Sequence, residues 1–111
     1  MTTYTPPLRD MQFVMHEMLN VATDLAAMPM HADMDVDTIN AVLEEGGKFA
    51  TDVLLPINIS GDTESCQLDP ATHEVKTPTG YKEAYAQYIA GGWAALACDP
   101  AFGGQGLPLV V

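Results

Sequence analysis

Apolar residues return at steps of three and four positions through the first quarter of the chain, and polar residues fill the opposite side. This period of about 100° per residue predicts an amphipathic helix. Thr5 is its expected N-cap, Pro6 and Pro7 suit its first turn, and Met28-Pro29 ends it. Its apolar positions are Leu8, Met11, Val14, Met15, Met18, Val21, Ala22 and Leu25.

A second helix is predicted from Asp37, as its cap, to Leu55, with Pro56 stopping it. Gly46 falls inside its apolar face, where a glycine costs about 1 kcal/mol relative to alanine. We therefore expect another element to approach closely at Gly46. Phe13, in the polar face of the first helix, is either an ordinary exposed aromatic or part of a second packing surface. The apolar face of the second helix consists of Ile39, Val42, Leu43, Phe49, Ala50, Val53 and Leu54.

The stretch from Ile57 to Gly80 contains turn residues, such as Ser60-Gly61-Asp62, and shows no helical period. Two short runs, Ser65–Leu68 and Glu74–Thr77, flank the turn sequence DPATH. Runs of this kind around a turn predict a small β-hairpin.

A third helix is predicted over Thr79–Ala90, and Gly91-Gly92 end it. Tyr81, Tyr85 and Tyr88 form a stripe along one side. Tyrosines at that spacing are typical of core positions whose hydroxyls reach water. A short apolar turn, Trp93–Ala97, and a glycine-rich loop follow. The elements together predict a mainly α fold with a small hairpin.

The 111 residues suffice for one domain with a modest core. Fifteen carboxylates stand against four basic residues, giving a formal charge of −11. This balance disfavours nucleic acid and anionic membranes as partners. No secretory signal or run of about 18 apolar residues is present. Cys66 and Cys98 fit free thiols in a reducing cytoplasm, which is the expected location.

Candidate chemical motifs are weak, so we assign no catalytic, cofactor-binding or metal-ligating residue. Asp33, Asp35, Asp37 and Glu44 have calcium-loop spacing, but Thr38 replaces the glycine such a loop needs. Helix-capping carboxylates account for the same residues. The three histidines are scattered, and no nucleophile lies in a recognisable catalytic sequence. In the loop FGGQG, no strand pattern precedes the glycines, so a sharp turn or close backbone approach is favoured over phosphate binding.

Two stretches resemble one family. YTPPLRDMQFVMHEML, Tyr4–Leu19, is similar to the N-terminal extension of a bacterial branch of the acyl-CoA dehydrogenases, the branch that contains the 3-methylmercaptopropionyl-CoA dehydrogenases. GYKEAYAQYIAGGWAALACDPAFGGQGLP, Gly80–Pro108, resembles the N-terminal helical domain of the whole superfamily. The intervening sequence from Ile57, with its Gly-Asp turn and hairpin, resembles the same branch.

The resemblance implies a flavoprotein that removes a proton and a hydride from the α and β carbons of an acyl-CoA thioester. FAD would take the hydride, and an electron-transfer flavoprotein would carry the electrons away. The base and the main flavin contacts of the family lie in domains beyond Val111, so none is placed in this chain. Substrates in the branch include sulfur-containing, aliphatic and aromatic acyl thioesters, and none is assigned here.

On this interpretation residues 1–30 form the N-terminal extension helix, and residues 31–111 form the helical domain, truncated at its C-terminal end. We expect an N-terminal fragment of a homo-oligomeric enzyme that packs beside the acyl cleft and is inactive alone. Leu109, Val110 and Val111 would be the uncovered first residues of the next helix. Phe13 and the face around Gly46 are expected contact surfaces. The alternative is a free-standing acidic helical module that offers a groove to a partner helix.

Overall fold

The computed structural model describes residues 3–111, and helices dominate them, with one small hairpin. The mainly α fold that the sequence predicts is therefore confirmed. The predicted extension, residues 1–30, is described from Thr3 onward, because Met1 and Thr2 lie outside the described residues. The α-helices are α1 (Leu8–Gln12), α2 (Val21–Ala26), α3 (Val36–Phe49), α4 (Leu55–Glu64) and α5 (Tyr81–Ala90). Phe13–Met18 and Ala50–Leu54 are π-helical, Pro29–His31, Trp93–Ala95 and Pro100–Phe102 are 3-10 turns, and the strands are β1 (Gln67–Leu68) and β2 (Val75–Lys76).

The first predicted helix is not continuous. Its π-helical turn closes with the Leu19 amide donating to the Val14 carbonyl, and Asn20 then adopts the left-handed conformation, with φ of 51°. A π turn inserts an extra residue, so apolar positions before and after it no longer share one face. Met18 is accordingly 62% exposed, although the sequence places it in the apolar stripe. Thr5 is not the cap either, since Pro7 precedes the first helical residue without a side-chain bond.

The second predicted helix begins earlier and continues further than expected. Asp35, rather than Asp37, is the cap, and its carboxylate accepts a 2.7 Å hydrogen bond from the Thr38 amide. Pro56 does not stop the helical run: it directly follows the π-helical turn Ala50–Leu54, and α4 continues to Glu64. The predicted turn near Ser60 is helical as well, and the Ser60 hydroxyl donates to the Ile57 carbonyl.

The predicted hairpin is confirmed. β1 and β2 pair antiparallel, with Gln67 opposite Lys76 and Leu68 opposite Val75. The Asp69 carboxylate accepts a 2.8 Å hydrogen bond from the Ala71 amide in the connecting turn. Hydrogen bonds from the Ala71 and Thr72 amides lower the pKa of Asp69, so its charged form stabilises the turn.

Helix α5 forms where the sequence predicts it, but its tyrosines are not core residues. Ala84 is the buried position of this helix. Tyr81, Tyr85 and Tyr88 are 39%, 65% and 37% exposed. Gly92 then takes a left-handed conformation, with φ of 75°, and turns the chain into Trp93–Ala95.

The core is small and lies between the N-terminal helices, α3 and the end of the chain. Its buried side chains include Met15, Val21 and Leu25, and Ile39 from α3 is fully enclosed. The remaining buried member is Met34, and Ala22, Leu43, Leu107 and Val111 pack against the cluster half-buried.

The molecule is flat, measuring 56 × 38 × 18 Å. Its radius of gyration is 17.8 Å, against about 13 Å for a compact chain of this length. Its accessible surface is 7903 Å², against about 6,000 Å² for a compact monomer of this mass. The thickness is less than two helix diameters. Much apolar surface therefore remains open to solvent.

Candidate functional site

The glycine loop is built on a side-chain cap. The Asp99 carboxylate accepts a 2.8 Å hydrogen bond from the Ala101 amide and starts the 3-10 turn Pro100–Phe102. Gly103 then adopts φ of 86°, a conformation that strongly favours glycine. The chain thereby reverses direction within a few residues.

The backbone amides of the loop are all used inside the chain. The Gly103 amide donates to Pro100, the Gly104 amide to Asp99, and the Gly106 amide to Cys98, at 2.9–3.1 Å. Gln105 donates its own amide to the Ala95 carbonyl at 3.0 Å. A phosphate-binding loop needs free amides directed at the ligand. This loop therefore offers no phosphate cradle.

Gly104 shows the close backbone approach that the sequence predicts for these glycines. A Cβ at this position would collide with the carbonyl group of Cys98 and lie 2.6 Å from the Cys98 Cβ. Gly106 is left-handed, with φ of 66°, and packs against the Pro100 ring. The loop thus folds onto the segment that precedes it.

An apolar cleft of about 700 Å³ opens beside the loop. Leu25, Met28 and Met30 line one side, and Leu107 and Leu109 come from the segment after the glycines. Met30 and Leu109 are 81% and 93% exposed, so the cleft has an open rim.

The polar groups that line this cleft are mostly engaged. Asp99 caps its own turn, and the Gln105 amide nitrogen donates to the Gly92 carbonyl at 3.2 Å. The His31 Nδ1 atom is buried and has no hydrogen-bond partner among the described residues. The cleft suits an apolar group and presents no arrangement of nucleophile and base.

Leu109, Val110 and Val111 do not begin a helix. Leu109 and Val110 form a turn, and Val110 is 48% exposed. Val111 instead packs half-buried against the core cluster. The expectation of three uncovered residues is thus met at Leu109 and Val110 and wrong at Val111.

The carboxylates and histidines considered as metal ligands are not brought together. Val36 already begins α3, so the calcium-like spacing lies largely within helix. His16 lies elsewhere, with its Nε2 atom 2.8 Å from the Asn40 side-chain oxygen, a contact that joins the first segment to α3. Within residues 3–111, no three His, Cys, Asp or Glu side chains are arranged to hold a metal ion.

The two predicted contact surfaces differ in character. Gly46 is covered within the chain, because a Cβ there would lie 3.5 Å from the Trp93 ring. Another element does lie over Gly46, as expected, but at an ordinary van der Waals distance that does not require glycine, and this face is not open to a partner at Gly46. Phe13 is 43% exposed, and the Arg9 guanidinium lies 5.8 Å from its ring centre.

Comparison with known proteins finds two similar enzymes. No family model matches the chain. The chain is 37% identical over 109 residues to 3-methylmercaptopropionyl-CoA dehydrogenase of Ruegeria pomeroyi. The match covers 98% of this chain and 18% of that protein. The chain is also 31% identical over 111 residues to a broad-specificity linear acyl-CoA dehydrogenase of Mycobacterium tuberculosis, covering 100% of this chain and 18% of that protein. The chain is homologous to acyl-CoA dehydrogenases.

The chain spans about a fifth of the length of these two acyl-CoA dehydrogenases. In the part of the chain from residue 3 to 111, no helix combines the length and the hydropathy needed to cross a membrane.

The described residues of this acyl-CoA dehydrogenase homologue do not fit the phosphates of a flavin dinucleotide. The loop amides are already bonded, and two of the four basic side chains are paired. Arg9 contacts Glu17 at 2.7 Å, and Lys48 contacts Glu45 at 2.5 Å. A flavin site formed by this segment alone therefore has no geometric support.

Sequence reasoning missed two neighbouring apolar cavities that the four tyrosines line. One cavity of about 320 Å³ includes Tyr4, and one of about 370 Å³ includes Tyr81, Tyr85 and Tyr88. A signal was present, because the tyrosine stripe was recognised. Periodicity does not show whether the same chain or another polypeptide packs over the tyrosine stripe.

Proposed function

We propose that the chain is part of a flavin-dependent acyl-CoA dehydrogenase that oxidises the α and β carbons of an acyl-CoA thioester. The observation that carries the proposal is similarity to two acyl-CoA dehydrogenases over at least 98% of the chain. FAD would accept the hydride when bound, and an electron-transfer flavoprotein would receive the electrons. The acyl group is left open, because the two relatives are named for different substrates.

Within that enzyme the proposed role of these residues is structural. The apolar cleft beside the glycine loop would border the acyl cleft, since Met28, Leu107 and Leu109 offer hydrophobic surface to an acyl chain. The base and the flavin phosphates would be held by residues outside this segment. Residues 1–30 would act as an extension helix of the domain formed by residues 31–111.

The amount of exposed surface supports the proposal that other polypeptide covers this segment. The surplus over a compact monomer is larger than the roughly 800 Å² that each partner contributes to a standard interface. Phe13, with its exposed ring, is a proposed contact to another part of the enzyme. A homo-oligomeric assembly and a cytoplasmic location complete the proposal.

Flavin binding by the 111-residue chain tests whether these residues have only a structural role. FAD is titrated into the purified chain, free cofactor is removed by gel filtration, and absorbance near 450 nm is measured in the protein fraction. We expect no retained flavin and no oxidation of acyl-CoA substrates with an artificial electron acceptor. A yellow, active preparation would contradict the proposal that these residues are structural.

A free-standing interaction module is the second candidate, and the exposed apolar cavities lined by the tyrosines are the observation in its favour. That function requires a monomer that unfolds cooperatively and does not self-associate. The flat shape and small core favour marginal stability and association instead. Sedimentation velocity together with a urea unfolding curve separates the two outcomes.

A further inference from the structure

The first described residues are weakly attached to the rest of the molecule. Residues 3–12 include the five-residue helix α1, and none of them is buried. Pro6, Leu8 and Gln12 are half-buried, and the others are exposed. The first buried side chain along the described chain is that of Met15, which belongs to the core cluster. We call residues 3–12 the strap.

The strap lies on α3 at Gly47, a buried glycine of that helix. A Cβ at Gly47 would lie 3.1 Å from Cγ and 3.3 Å from Cβ of Pro6, and 3.5 Å from Cδ2 of Leu8. The first two distances are tighter than the roughly 3.5–4.0 Å at which carbon atoms pack. A Cβ at the neighbouring Gly46 would meet its nearest atom, in the Trp93 ring, at 3.5 Å. The strap therefore needs a glycine at Gly47 and not at Gly46.

An apolar cavity of about 180 Å³ lies beneath the strap. Tyr4 and Pro6 line it from the strap, and Gly46 and Trp93 line it from the rest of the chain. The strap thus covers the Trp93 side of this cavity, and moving the strap away would open that side to solvent.

Polar side chains do not fasten the strap to α3. Among the described residues, no side-chain hydrogen bond or ion pair joins the two. Arg9 instead pairs with Glu17 of its own N-terminal stretch, at 2.7 Å. A polar link to α3 comes only after the strap, where His16 Nε2 lies 2.8 Å from the Asn40 side-chain oxygen. Attachment of the strap to α3 therefore depends on packing at Gly47.

Segments with few buried contacts open locally while the rest of a protein stays folded. Met15 in the core and the contact of His16 with Asn40 hold the chain directly after the strap. We propose that the strap opens from α3 as a unit, with Gly47 as its seat, while the core stays folded and the Trp93 side of the cavity is uncovered. This conformational device does not depend on the proposed enzymatic function.

Hydrogen exchange of the whole chain, followed residue by residue by NMR, tests the opening. The Met11 amide reports on the strap, since it donates to the Pro7 carbonyl at 3.1 Å. The Ile39 amide reports on α3, since it donates to the Asp35 carbonyl at 3.1 Å. We expect Met11 to be at least about tenfold less protected than Ile39. Sub-denaturing urea should leave exchange at Met11 unchanged, because opening the strap exposes little surface.

Two pairs of variants locate the seat. Gly47→Ala places a methyl group against Pro6, and Gly46→Ala makes the same change at a helical position that has room for it. Pro6→Ala removes the ring that lies on Gly47, and Pro7→Ala removes an exposed ring beside it. We expect both seat variants, Gly47→Ala and Pro6→Ala, to speed exchange at Met11 about tenfold, and each control to change it less than about twofold.

Three results would overturn this proposal. Met11 is as well protected as Ile39, the seat variants change exchange at Met11 no more than their controls, or protection at Met11 rises with protein concentration. The last result would place the strap on a second copy of the chain. If one seat variant also loses protection at Ile39, it has unfolded and the other seat variant decides. Failure leaves the proposed enzymatic function intact, because that function is tested by flavin content and turnover.

Discussion

Gly104 and Cys98 are in contact through their backbones, and this contact closes the glycine loop. A side chain on Gly104 would collide with the Cys98 carbonyl group, and that carbonyl also accepts the Gly106 amide at 2.9 Å. The loop is therefore fixed by the absence of a Cβ at Gly104. It positions Leu107 and Leu109 beside the apolar cleft.

Gly104→Ala is expected to lower the free energy of unfolding by at least about 2 kcal/mol, because neither backbone can yield without breaking the loop. Gly103→Ala is the matched control. Gly103 has φ of 86° but open space around it, so alanine there costs only the left-handed strain of about 1 kcal/mol. Urea unfolding followed by Trp93 fluorescence measures both. Equal costs would show that conformation, and not the approach to Cys98, determines the choice of glycine.

Gly61 in α4 lies under the ring of Tyr81, which belongs to α5. An alanine Cβ would collide with the Tyr81 hydroxyl and lie 2.6 Å from Cζ. Gly61→Ala should therefore cost about 1–2 kcal/mol. In a Tyr81→Ala background the same change should become neutral or stabilising, because alanine is the better helix former by up to about 1 kcal/mol. A double-mutant cycle measures the coupling, and an identical cost in both backgrounds argues against this contact.

The break at Asn20 predicts that alanine costs more than glycine at this position, the reverse of the order in a continuous helix. In the left-handed conformation Asn20→Ala should cost about 1 kcal/mol, and Asn20→Gly should cost less than about 0.5 kcal/mol. If the helix were continuous, alanine would stabilise it and glycine would destabilise it. Thermal unfolding of the two variants distinguishes a break from a continuous helix.

Glu64 joins the end of α4 to the start of α5 and makes stability depend on pH. Its carboxylate accepts hydrogen bonds from the Thr79 amide at 2.8 Å and the Thr79 hydroxyl at 2.9 Å. These bonds, the amide first, lower the pKa of Glu64 below its usual 4.5. A carboxyl with a lowered native pKa stabilises the fold fully above its unfolded pKa, and this stabilisation is lost as the pH falls through the native pKa.

Glu64→Gln should therefore flatten the loss of stability below pH 4.5. Glu74→Gln is the control, because the Glu74 carboxylate accepts no hydrogen bond among the described residues. Urea unfolding midpoints between about pH 3 and pH 6 give both profiles. A Glu64→Gln profile parallel to the wild type would count against this role for the carboxylate.

Local periodicity predicted the elements that depend on local sequence. The helix that carries Tyr85, the hairpin and the sharp turns at the glycines all formed as expected. The break at Asn20 and the extension through Pro56 were not predicted. Asparagine and proline are each compatible with two conformations at those positions, and packing decides between them.

Tyrosine exposure marks a second limit of sequence reasoning. A stripe of apolar positions has the same spacing whether its own chain or another polypeptide covers it. Tyr85 at 65% exposure and Met18 at 62% exposure belong to stripes that the sequence placed in the core. The cleft beside the glycine loop could likewise not be predicted, because its lining combines Met30 with Leu109 from the other end of the chain.

A chimeric enzyme tests most directly whether these residues serve as the structural part of an acyl-CoA dehydrogenase. The 109 matching residues of the Ruegeria pomeroyi 3-methylmercaptopropionyl-CoA dehydrogenase are replaced by this chain, and bound flavin and oxidation of 3-methylmercaptopropionyl-CoA are measured. We expect a flavin-loaded chimera with turnover of the same order as the parent, and loss of turnover when Gly104→Ala is added. A soluble, folded chimera without flavin and without turnover would contradict the account.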